Sequence, residues 1–96
     1  VSRVSFKGID KKGHTVVVRA GWDHPVREFY MQIMDADGDC TWSTMASGGT
    51  LSSTASLKAK LVKLGVQAPE GFWPLVERRE GNTWHTYENG AWQQAF

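Results

Sequence analysis

Asp35, Asp37 and Asp39 stand at the D-x-D-x-D spacing that opens a calcium loop. A loop of that kind also needs Gly at its sixth position and a bidentate Glu at its twelfth. Those positions hold Cys40 and Ala46, and Gly38 comes too early, so the acids read as a hairpin turn. His14, His24, His85 and Cys40 are the possible transition-metal ligands, but none shows the close paired spacing of a zinc site. Cys40 with His24 or His85 would be a nucleophile with its base. Yet Cys40 follows three aspartates, which disfavour a thiolate. Asp23 and His24 could form an acid–base pair, but neighbours on a tight turn point different ways. No catalytic residue, cofactor or metal is assigned.

Two binding chemistries stand on firmer composition. Lys58, Lys60, Lys63, Arg78 and Arg79 make a candidate basic patch near two helices. With an exposed Trp73 or Trp84, it would bind single-stranded nucleic acid by phosphate contact and stacking. The chain also carries five tryptophans. Trp and Tyr are favoured anchors at protein interfaces. Trp22, Asp23 and His24 at one turn, and Tyr87 and Trp92 at another, are therefore the candidate partner-binding residues.

Length and charge bound these readings. Ninety-six residues make one domain, spanning 1–96. A composition 41% hydrophobic and 22% charged is that of a folded globule. A net charge of +1 gives no global attraction to nucleic acid or anionic membrane. No apolar run approaches the roughly 18–20 residues of a membrane span. No signal-like apolar segment is seen at the start, and Cys40 has no partner in the chain for a disulfide. The cytoplasm is the expected compartment.

The elements that must position these residues follow from periodicity. Val4 and Phe6 alternate with Arg3, Ser5 and Lys7, which predicts a first strand. Asp10–Gly13 is a turn, and His14–Arg19 a second strand. Gly21–Pro25 is read as the next turn, leading to a strand over Arg27–Met34 with Phe29, Met31 and Ile33 facing the core. The acidic turn leads to a fourth strand, Cys40–Met45. Ser47–Thr50 is a flexible connection. Ser53 or Thr54 caps the main helix, which runs to Leu64 with Leu57, Leu61 and Leu64 on one stripe. Gly65 suits its C-terminal cap. A short second helix covers Phe72–Glu80, with Phe72, Leu75 and Val76 packing. Thr83–Glu88 and Ala91–Phe96 flank Asn89-Gly90, the strongest hairpin signal in the chain, which pairs Tyr87 with Trp92.

The expected fold is α+β. An antiparallel sheet of five or six strands, beginning as a meander, packs against one main helix. A short second helix and a C-terminal hairpin complete it. Phe6, Val16, Val18, Phe29, Met31, Ile33, Leu57, Leu61 and Leu64 are its expected core.

Three features together resemble a family of small uncharacterised bacterial proteins. They are the Gly21-Trp22-Asp23-x-Pro25 turn before an aromatic strand, the acidic turn followed by Trp42, and the Leu64-Gly65 helix end with later Pro69 and Gly81-Asn82. The resemblance implies bacterial origin and no known activity. Thr83–Trp92 also superficially resembles one repeat of a choline-binding cell-wall module. Such sites form between neighbouring repeats, and here there is one unit.

The favoured expectation is a non-enzymatic protein–protein interaction or regulatory module. Its small size and lack of recognisable chemistry suggest carriage on a mobile element. The rival class is a nucleic-acid-binding domain, and the third a small enzyme. The partner and the oligomeric state are not legible.

Overall fold

Aspartate chemistry builds two matching turns. In the computed structural model, which describes residues 2–44 and 53–95, Asp10 Oδ1 accepts hydrogen bonds from the amides of Lys12 and His14, each at 2.9 Å. Asp35 Oδ1 does the same for Asp37 at 2.9 Å and Asp39 at 3.0 Å. Gly13 and Gly38, three residues after each aspartate, take the positive φ that closes the loop. These turns join β1 (Arg3–Ile9) to β2 (Thr15–Asp23), and β3 (Glu28–Met34) to β4 (Cys40–Ser43).

β2 runs farther than its periodicity predicted. Gly21, Trp22 and Asp23 pair with Tyr30, Phe29 and Glu28 as ordinary ladder residues. The turn is displaced to residues 24–27 and ends on Arg27 at φ 55°. Between β3 and β4 the register shifts at Ile33/Met34. Met45 and the Ser47–Thr50 connection lie outside the described residues, as does Phe96.

The helices come next. α1 (Ala55–Leu64) begins directly after Thr54. Thr54 makes no side-chain cap; its hydroxyl donates instead to Glu77 Oε1 at 2.6 Å. That bond, with Lys58 Nζ 3.0 Å from the same oxygen, ties the start of α1 to the end of α2 (Phe72–Glu77). Gly65 ends α1 in the left-handed conformation, as its position predicted. α2 stops three residues short of the expected Glu80, because Arg79 turns the chain at φ 55°.

β5 (Trp84–Glu88) and β6 (Ala91–Gln94) form the final hairpin. Asn89 and Gly90, at φ 53° and 79°, supply the positive dihedrals of a type I′ turn. Tyr87 faces Trp92 with ring centroids 5.0 Å apart.

The order across the sheet is β4-β3-β2-β1-β5-β6. β5 lies parallel to β1, with Arg3 beside Trp84 and Ser5 beside Thr86. The sheet is therefore mixed, which corrects the expected antiparallel one. Tight turns dictate antiparallel neighbours within each hairpin. The strand that arrives after two helices has no such constraint.

Both described helices cover one face. Val4, Phe6, Val18, Met31 and Ile33 meet Leu57, Leu61, Phe72 and Val76 there. Phe72 stands edge-on to Phe6 at 4.8 Å. The short α2 packs closely against β1 and β2. Leu64 is only partly buried, while Trp22, Val66 and Ala20 join the core.

Candidate functional site

The turn aromatics are placed by packing. Trp22 is 6% exposed. Its ring lies against Phe29 at 4.8 Å, and the Arg79 guanidinium roofs it at 4.7 Å. Trp22, expected at a surface turn, is instead buried, because the strand continues through residue 22 and points this ring inward. Asp23 is half-buried beside it and His24 is exposed in the turn. Trp92 is half-buried, donates Nε1–H to the Glu70 carbonyl at 2.8 Å, and packs against Tyr87 and Phe72. β1 and β5 separate β2 from β6, so the two aromatic turns do not form one patch.

The helix cations are largely engaged within the chain. Lys58 pairs with Glu77 and lies 5.7 Å from the Trp73 ring. Lys60 lies 5.0 Å over Trp42, and Arg78 Nη1 is 3.3 Å from Glu80. Glu77 is held below its ordinary pKa by the Thr54 hydroxyl first, then by Lys58. Glu80 is lowered too, first by its bond to Thr83 and then by Arg78. Lys63 stays exposed. These side chains stabilise the helix layer more than they offer a continuous basic surface.

Nor do the ligand candidates converge. His14 and His24 flank opposite ends of β2, and His85 is buried in β5. Among the described residues, no three His, Cys, Asp or Glu could share a metal ion. Cys40 is exposed and its Sγ faces the Trp42 carbonyl at 3.3 Å.

The opposite face of the sheet is different. No described helix lies on it, and its residues come from all six strands. Register places Ser43, Gln32, Arg19, Ser5, Thr86 and Gln93 in one continuous polar row. In the next row Trp84 pairs with Arg3, and Gly21 with Tyr30. The Arg3 guanidinium sits 4.2 Å from the centre of the Trp84 ring, which is 36% exposed. Tyr30 is half-buried and donates its hydroxyl to the Ser2 carbonyl at 2.6 Å. Burial raises the Tyr30 pKa, while Arg3 opposes the rise.

Charge on this face is mixed: Arg3, at the start of β1, lies with Arg19 and Lys7 on β1 and β2, and Asp23, Glu28 and Glu88 stand at the ends of β2, β3 and β5. The Nε atoms of Arg3 and Arg19 are buried without a hydrogen-bond partner, so both stems are packed into the sheet surface. Past Ser5 and Thr86 the β1–β5 pairing ceases, and a cleft of 450 Å³ opens beside Lys7, Val17 and Glu88.

Apart from Trp84, which the nucleic-acid reading named, the face uses residues that site reasoning from sequence passed over. The alternation of Arg3, Ser5 and Lys7 against Val4 and Phe6 was the available signal. It could not show that Arg19 and Trp84 would join them. Comparison of the chain with protein-family models, curated proteins and solved structures finds no match in any of the three.

Proposed function

We propose that this domain is a small non-enzymatic binding module that takes an anionic partner on the sheet face opposite its two described helices. The observation that carries this is the placement of Arg3 and Arg19 beside Trp84 and Tyr30, on a face to which no described helix packs. Guanidinium groups pair well with carboxylates and phosphates because their donors form a fixed fork. Their packed stems and the stacked indole reduce the entropy lost on binding.

Non-enzymatic binding, as the sequence favoured, is kept; the surface is moved, and the partner is defined by its negative charge. Trp22 and Trp92 support the fold around the site and do not anchor the partner. A bacterial setting accords with the family resemblance, a cytoplasmic one with the lone cysteine, and both are part of this proposal.

Nuclear magnetic resonance mapping with a polyanion, such as polyglutamate, tests it. Amide shifts should concentrate at residues 3, 5, 19, 30 and 84. Shifts centred on residues 22–24 and 87–92 would restore the turns as the site. No shift with any polyanion would remove the anionic partner.

A further inference from the structure

We infer that the anionic partner is a single-stranded nucleic acid lying across the strands. This rests on the reading of the face opposite the described helices as an anion-binding surface, and it adds the partner class.

The face offers more than charge. Trp84 and Tyr30 mark the two ends of one row, on β5 and β3. With β1 and β2 between them, three strand spacings separate their backbones by about 14 Å, and the Tyr30 ring leans inward over Gly21 toward Ser2. Arg3 lies within the row against the indole. Aromatic rings and guanidinium planes are the surfaces on which unpaired bases stack. An acidic peptide would use the arginines but has no planar groups for the rings.

The adjoining row supplies the other half of the recognition. Ser5, Thr86, Gln32 and Gln93 present hydroxyls and amides able to bond base edges or sugars. Arg19 stands among them, and Lys7 lies one row farther along β1. These two cations are placed for phosphates on the side away from the stacking row.

Duplexes do not suit this surface. The major groove of B-DNA admits one helix or a two-stranded ribbon. A six-stranded sheet is far wider. Unpaired bases, by contrast, can lie flat on an open sheet.

The two phosphate-facing cations also set the expected salt response. Each neutralised phosphate contributes a slope of roughly −0.7 on a log–log plot for single strands, giving about −1.4 for Arg19 and Lys7 together. Affinity should therefore fall roughly 7-fold between 50 and 200 mM salt.

Fluorescence anisotropy with the intact chain decides the matter. The probes are a labelled twelve-nucleotide oligothymidylate, its RNA counterpart, a mixed-sequence duplex and polyglutamate. Single strands should bind at least roughly ten times more tightly than the duplex or polyglutamate. Trp84→Ala should weaken single-strand binding roughly 5- to 150-fold. Arg19→Gln should weaken it and flatten the salt slope by about 0.7. Circular dichroism checks that each variant is folded; if Trp84→Ala is not, the Arg19→Gln slope and the duplex comparison still decide. Polyglutamate binding as well as the oligonucleotides would overturn the nucleic-acid assignment and leave the anionic face standing. Binding of no probe, or binding unchanged in the Arg3→Gln/Arg19→Gln double variant, would overturn both.

Discussion

The carbonyl oxygen of Ser2 occupies the space that a side chain on Gly21 would need. Ser2 is held there from three directions. Its amide donates to the Trp22 carbonyl at 3.0 Å, and its hydroxyl accepts from the Trp22 amide at 2.9 Å. Its carbonyl accepts from the Tyr30 hydroxyl at 2.6 Å. Gly21 is thus required for close approach of two backbones and not for a turn.

Gly21→Ala should cost roughly 1–3 kcal/mol, because the added carbon meets backbone that cannot swing aside. Gly81→Ala is the control, with nothing within 4 Å of its new carbon. It should stay within about 0.5 kcal/mol of the parent. Urea denaturation measures both, and a neutral Gly21→Ala would contradict the Ser2 contact.

Trp22→Ala should cost roughly 3–5 kcal/mol, the range for a large buried aromatic. A variant that keeps its stability and loses affinity for a partner would return Trp22 to the interface. Chemical denaturation together with the anisotropy assay separates those outcomes.

Asp35 divides a turn from a calcium site. Its Oδ1 already accepts two backbone amides. Asparagine can make the same bonds, so Asp35→Asn should be nearly neutral, while Asp35→Ala should lose roughly 0.5–1.5 kcal/mol. Millimolar calcium should leave the thermal midpoint unmoved. An upward shift that Asp35→Asn abolishes would establish a cation site.

Acid should loosen the link between the two helices. The Thr54 hydroxyl and Lys58 lower the Glu77 pKa below its ordinary 4.5. A group lowered on folding binds fewer protons when folded, so its stabilisation is full above that value and disappears as pH falls through the folded one. Glu77→Gln should therefore show a flatter decline in denaturation midpoint between pH 6 and pH 3. An unchanged decline would mean the contact contributes nothing in solution.

Features that act over a few residues were legible in the chain. Two D-x-x-G turns, the Asn89-Gly90 hairpin and the Gly65 cap each depend on backbone angles that particular residues favour. Alternation likewise revealed which residues of β1 and β3 face inward. Turn chemistry reaches only four or five positions, and Gly21 marks that limit: a glycine reads as a turn unless Ser2 is seen across from it. The direction of β5 depends on how α1 and α2 settle on the core, since a long crossover permits either orientation. The β1–β2 hairpin register puts Arg3 and Arg19 on one face, and Trp84 joins them only through the placement of β5. Each stands on a different strand, and only the parallel docking of β5 beside β1 brings Trp84 under the Arg3 guanidinium.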